Sequence, residues 1–146
     1  MRNNLLILVV VIILVAIWWF SLRAPTADKE IVSLGKVNIP VEVSRTPTEW
    51  GQGLSGRKSL PAGEGMLFVF PAPAIQEFWM PDMHFPLDIV WITGGQVVGI
   101  EANVSNDFDP QHPKYYHSPV PVEYVLELNA GFMAKNGLKV GTEVKI

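Results

Sequence analysis

Leu87-Asp88-Ile89-Val90-Trp91-Ile92 and Gln96-Val97-Val98-Gly99-Ile100-Glu101 flank Thr93-Gly94-Gly95. Two strand-length apolar runs joined by residues that tolerate positive φ predict a tight β-hairpin, which commits this part of the chain to an antiparallel sheet. The remaining segments extend that sheet. Val37, Ile39, Val41 and Val43 alternate with Lys36, Asn38, Pro40 and Glu42, the period-two pattern of a strand buried on one face. Pro40 lacks a donor and places this strand at an edge, at least locally. Met66 to Phe70 is a continuous apolar run ended by Pro71-Ala72-Pro73, and Glu77–Met80, Val122–Leu128 and Gly141–Ile146 are further strand candidates.

Helix signals are few. Thr46-Pro47-Thr48-Glu49 reads as an N-cap, a first-turn proline and a capping-box glutamate. Gly51, Gly53 and Gly56 each cost such a helix about 1 kcal/mol relative to alanine, so it must be short, with Trp50 and Leu54 on its buried face. Asn129 to Gly137 reads as a second short helix closed by glycine. Ala102 to Pro121 has no apolar periodicity, yet Phe108, Tyr115 and Tyr116 argue that it packs against the rest. The expected fold is mainly β (α+β): six to eight short strands and two short helices, forming a small barrel-like or strongly curled sheet.

Ahead of this domain, Leu5 to Leu22 is an eighteen-residue run without charge. As a helix it would measure roughly 27 Å, close to the hydrocarbon core of a bilayer. A cleaved signal peptide has a shorter apolar core and a small-x-small cleavage site. Here the run ends in Trp18-Trp19-Phe20, an interfacial aromatic pattern, and cleavage after Ala24 or Ala27 would put Leu22 or Pro25 where a small residue is needed. A permanent anchor over residues 1–23 is therefore expected, followed by a linker at 24–35 and the β domain at 36–146. The short tail before the anchor stays inside, which puts the C-terminal domain on the extracytoplasmic side of a single-pass membrane protein.

Residues 24–146 hold nine Lys/Arg against fourteen Asp/Glu, a formal charge of −5, with no basic run. Nucleic acid is not expected as a partner, because phosphate neutralisation needs a positive patch. With no cysteine anywhere, thiol catalysis and lipid attachment through a cysteine are excluded.

The ordered series Gly53-Leu54-Ser55-Gly56-Arg57, Leu60-Pro61, Gly63-Glu64-Gly65-Met66-Leu67-Phe68-Val69-Phe70, Phe78-Trp79-Met80 and Pro86-Leu87-Asp88-Ile89 resembles the DUF192 family, also called UPF0127. The likeness continues through Tyr124-Val125-Leu126-Glu127 and Ala130-Gly131 to Lys139-Val140-Gly141. The resemblance implies a compact, largely β domain, often behind a signal or anchor segment, without a characterised function. Where many members carry Lys-Asn after Trp-Met, this chain has Pro81-Asp82.

Three groups of residues could carry chemistry. Met80, Met83 and His84 make a thioether and imidazole set suited to Cu(I), although two methionines beside Trp79 and Phe85 equally suit a core. Asp88 or Glu127 with a histidine would suit a hydrolase, but an ion pair of Arg57 with Asp88 or with Glu127 is the favoured reading, fixing geometry more than adding stability. Trp79, Asp82, His84, Tyr115, Tyr116 and His117, with His112 nearby, could line a ligand site between the Trp79–Phe85 segment and the loop from Asp107 to His117. No cofactor is expected. The expected role is a membrane-anchored binding or accessory module for a small ligand or an envelope partner, with hydrolysis and copper binding as rival readings.

Overall fold

The computed structural model of the chain describes residues 29–146. The expected anchor and the first part of the linker lie outside the described residues, within which no helix is long and apolar enough to cross a membrane. The elements are β1 (Glu30–Leu34), β2 (Val37–Ser44), α1 (Pro47–Gln52), β3 (Gly65–Ala74), β4 (Glu77–Phe78), β5 (Leu87–Thr93), β6 (Gln96–Val104), β7 (Tyr116–His117), β8 (Val122–Asn129), α2 (Phe132–Lys135) and β9 (Val144–Lys145).

Seven strands form one sheet in the order β6-β5-β8-β3-β2-β1-β9, while β4 and β7 pair separately. The sheet curls strongly into a half-barrel. Its C-terminal segment bonds to both ends: Leu34 pairs with Val144, and the Val144 and Val97 amides donate to the Gly95 and Thr142 carbonyls at 2.8 and 3.0 Å. The β5–β6 hairpin turns at Gly94 and Gly95, both at positive φ (57° and 70°), as the turn chemistry requires.

Strand alternation then sorts side chains onto two faces. One core fills the curl, with Leu34, Ile39, Leu67, Val90, Leu126 and Leu128 meeting there. A second core lies on the opposite face, where Met66, Phe68, Ile89, Trp91 and Val125 are covered by Leu54 and by the loop residues Leu60, Met80 and Met83.

Three expectations change. The domain begins at Glu30, since β1 occupies much of the stretch assigned to the linker; its five residues are flanked by charge and leave Ile31 exposed, which masks the alternation that buries Val32 and Leu34. Strand β2 is internal, between β1 and β3, and the edge expected from Pro40 holds only locally. Pro40 is tolerated there because the parallel pairing with β3 starts only at Val41. Strand β3 also runs on through Pro71 and Pro73 to Ala74, where its residues are exposed.

Candidate functional site

Glu127 sits in the middle of β8, in register with Met66 of β3 and Ile89 of β5. Its neighbours Leu126 and Leu128 point into the inner core, so alternation turns Glu127 onto the second face. It is only 6 % exposed. No hydrogen-bond donor among the described residues reaches its carboxyl; burial pushes its pKa up to about 8, and only the field of Arg57 pulls the other way. A buried carboxyl without a donor favours its neutral form, because the ionised form has lost most of its water and the field of Arg57 offsets only part of that loss.

Glu127 opens into a cleft of about 310 Å³ walled by aromatic rings. Helix α1 supplies the first wall. Its capping box is complete, with the Glu49 amide donating to the Thr46 hydroxyl at 3.3 Å and the Glu49 carboxylate accepting from the Thr46 amide at 2.9 Å. The helix presents Trp50, whose indole donates to the Ser44 carbonyl at 3.2 Å and packs 5.0 Å from Phe70. Phe68 and Phe78 meet edge to face at 4.9 Å, and Phe78 continues edge to face onto the buried Trp91 at 5.6 Å. Gly53 ends α1 at φ 46° with Phe68 directly behind it, so the backbone approaches the ring closely. Two bonds tie the following loop to the Pro81–Asp82 turn: Ser55 Oγ donates to the Pro81 carbonyl and the Gly56 amide to the Asp82 carbonyl, each at 2.9 Å. Trp79 and Met83 complete the rim and wall.

The expected ion pair of Arg57 with Asp88 or Glu127 does not form. Arg57 grips Glu42 instead, Nη1 to Oε1 at 2.9 Å and Nη2 to Oε2 at 2.8 Å, and holds the Glu42 carboxyl below its ordinary range. The reason lies in the sheet order. Glu42 and Glu127 both lie beside Met66 on the same face, one on each neighbouring strand, and the guanidinium fork matches the less buried of the two. Asp88 is fully buried and bonded to backbone alone: Oδ1 accepts from the Asn103 and Gly131 amides at 2.9 and 3.0 Å, and Oδ2 from the Met133 amide at 3.0 Å. It clamps the end of β6 to the start of α2 and has no lone cleft to serve.

The other named residues separate. Met80 and Met83 are both buried but line different cavities, while the His84 ring is half exposed beside Asp82, at 3.7 Å. The thioether and imidazole groups therefore do not converge. Trp79 stacks on Tyr115 at 5.8 Å and meets Phe108 edge-on at 5.6 Å, which fixes the long loop to the β4 region. His117 bonds to Glu77 at 2.8 Å across the β4–β7 pair, His112 to Asp109 at 3.0 Å, and Lys114 lies over the Tyr116 ring at 4.8 Å. Met80, Asp107, Phe108, His112 and Tyr116 border a second cleft of about 340 Å³ beneath that loop. None of the three histidines lines the Glu127 cleft, so among the described residues no imidazole stands beside that carboxyl for acid–base work.

Sequence reasoning missed the aromatic wall. Trp50 reads as the buried face of a short helix, Phe70 as the end of an apolar run and Phe78 as part of a short strand candidate, and none of these readings joins the three into one wall. The signal that could have found them is the glutamate within the apolar run of β8, which needs an exceptional environment wherever its strand is buried.

Two solved structures share this architecture. A protein of unknown function from Novosphingobium aromaticivorans is 30 % identical, with a TM-score of 0.72 over 84 % of this chain and 90 % of that one. A candidate transcription regulator from Sinorhizobium meliloti is 32 % identical, with a TM-score of 0.72 over 80 % of this chain and 92 % of that one. No curated protein matches. The match of the family described as "Uncharacterized ACR" runs over residues 30–146, the whole of the curled sheet, and the chain belongs to that family, DUF192.

Proposed function

We propose that the chain is a membrane-anchored binding module, held by residues 5–22, whose extracytoplasmic domain takes a small and largely apolar molecule into the cleft above Glu127. One observation carries this reading: a buried carboxyl that no donor among the described residues reaches lines a cleft walled by aromatic rings. Ligand sites commonly combine apolar walls with one or two polar groups that fix orientation. A carboxyl left unpaired at such a place costs stability, and a ligand that pairs with it would recover that cost. The formal charge of −5 over residues 24–146 gives no support to a nucleic-acid partner.

The test is a fragment titration of the full-length chain in lipid nanodiscs, followed by backbone amide shifts. Binders are expected to perturb Gly53, Leu54 and Phe78 amides and to be lost when Leu54→Trp fills the cleft. Shifts confined to the loop from Asp107 to His117 would move the site to the second cleft and overturn the assignment. Topology is tested separately: the chain has no cysteine, so Lys145→Cys is a unique label site. Labelling by a membrane-impermeant maleimide in intact protoplasts is expected, and protection would reverse the orientation.

A further inference from the structure

We infer that the ligand is a small organic cation, an ammonium with apolar substituents, with the Glu127 carboxylate as its counter-ion and the Trp50, Phe70, Phe78 and Trp79 rings as its walls. This rests on the reading of the cleft as a binding site and names the chemistry that the site would select.

Four observations lead there. The carboxyl of Glu127 is nine-tenths buried, faces the cleft and accepts no bond from the described residues. Among the described residues the cation whose field reaches Glu127 is Arg57, and both of its terminal nitrogens are committed to Glu42. Among the described residues, no lysine, arginine or histidine lines the cleft. The walls are instead aromatic, and Trp50, Phe70 and Phe78 are only partly buried while Trp79 is exposed, so ring surface is available to a guest.

A cation is the one class of guest that answers all four. It supplies the missing positive charge, and the negative faces of the rings attract it further, by an amount that grows when both partners are desolvated. A neutral guest could accept a hydrogen bond from the protonated carboxyl but would leave the ring quadrupoles without a charge to meet. An anion would face the ring faces, Glu127 and the rim residue Glu77 together. Apolar substituents on the nitrogen follow from the scarcity of acceptors: a bare ammonium would bring three donors to one carboxylate, whereas alkyl groups match the rings.

Protons are part of the event. In the free protein the carboxyl binds its proton up to about pH 8. Pairing with a fixed cation requires the ionised form, so the Glu127 proton passes to solvent as the guest enters. The charged group among the described residues that acts on this carboxyl is Arg57, following α1. Glu42 on β2 shares its face and is paired with Arg57, Glu77 on β4 lines the same cleft and is paired with His117 of β7, and Met66 and Ile89, its partners in the sheet, do not titrate.

The experiment is calorimetry on the full-length chain in nanodiscs, using tetramethylammonium, choline and benzyltrimethylammonium, each against its uncharged carbon isostere. At least one cation is expected to bind about tenfold or more tightly than its isostere. Its affinity should rise with pH up to about 8, releasing close to one proton per ligand at pH 7, read from buffers of different ionisation enthalpy. Glu127→Gln should abolish the preference for charge while leaving isostere binding in place, and Trp50→Leu should reduce the preference without removing proton release. Equal binding of cations and isosteres, or cation binding without proton release, overturns the inference while leaving the cleft as a binding site. No binding by any member of the panel, with fragments still shifting the cleft amides, also overturns it.

Discussion

The Arg57 guanidinium closes a two-bond fork on Glu42, at 2.9 and 2.8 Å, and this leaves Glu127, one strand beyond Met66, within the field of Arg57 but with no cation in contact among the described residues. Two carboxylates on the same face of the sheet thereby take opposite character. Glu42 is held ionised by its partner, and Glu127 is pushed toward the neutral acid by burial.

Glu127 makes stability depend on pH in a definite direction. Its folded-state pKa, about 8, lies above the ordinary value of 4.5. Below about 4.5 both states are protonated and nothing is lost; between 4.5 and 8 the unfolded chain sheds the proton while the folded chain keeps it, so stability falls as pH rises. Glu127→Gln removes that dependence, and the variant is expected to be more stable than wild type at pH 8 by a few kcal/mol, on the order set by the shift. Urea unfolding across pH 5 to 9 measures it. Parallel pH profiles for the two proteins would refute the assignment.

Glu42 has the opposite sign. Its depressed pKa means that the pair with Arg57 stabilises the fold above the ordinary carboxylate range and is lost as pH falls through the lowered value. Both side chains are about one-third exposed, so solvent screens the pair and a double-mutant cycle of Arg57→Gln and Glu42→Gln should give a coupling of only about 1 kcal/mol. Arg57→Gln alone should also move the Glu127 pKa further up, since it removes the one influence that lowers it. A carboxyl-carbon NMR titration of Glu127 reads this directly, and a downward move would contradict it.

Asp88 is a fastener rather than a reagent. Its carboxylate accepts three backbone N–H groups, from Asn103 at the end of β6 and from Gly131 and Met133 around the start of α2. Asn103 sits at φ 52°, in the left-handed region that asparagine enters more readily than other non-glycine residues. Asp88→Ala would leave these three amides without their acceptor, the Met133 amide in a buried position, at about 1 to 3 kcal/mol for each that water cannot reach. A loss of several kcal/mol is expected in chemical denaturation, with hydrogen exchange at Met133 accelerated above that of the β5–β8 ladder. A variant as stable as wild type would show that the clamp is dispensable.

The parts of this architecture that the sequence reveals are those whose cause is local. The hairpin at Gly94-Gly95 and the Thr46–Glu49 capping box each depend on a few adjacent residues, and both form as read. Strand β9 shrinks to Val144–Lys145, and β1 emerges from an apparent linker, because β9 is held by pairing with β1, and β1 by pairing along its length with β2, more than by a pattern of their own. The partner of Arg57 is illegible for a related reason. Glu42, Asp88 and Glu127 are equally plausible along the chain, and only the order β2-β3-β8 puts the first and third on either side of Met66. Glu127 itself was visible as a carboxylate of interest, whereas its aromatic cleft required α1 and β4 to be folded back over β3.

Gly65 ties that cleft to the backbone. It opens β3 opposite Leu128, and a Cβ there would stand 2.9 Å from the Glu127 carbonyl oxygen and 2.9 Å from Leu128 Cδ2. The backbone oxygen cannot swing aside as a side-chain tip would, so Gly65→Ala must push β3 and β8 apart. A cost of about 1 to 3 kcal/mol is expected, the usual range for overpacking. Gly63→Ala is the control: at φ 81° a side chain there is strained, yet nothing lies within 4 Å of it. Its cost should stay near 1 kcal/mol, from conformation alone. The two variants differ further in what they do to Glu127. Displacing β8 at that residue opens the carboxyl to water and lowers its pKa, whereas strain in the Gly63 turn leaves it unchanged. Carboxyl NMR titrations of the two variants check this, and equal Glu127 pKa values in both would break the link between Gly65 and the cleft.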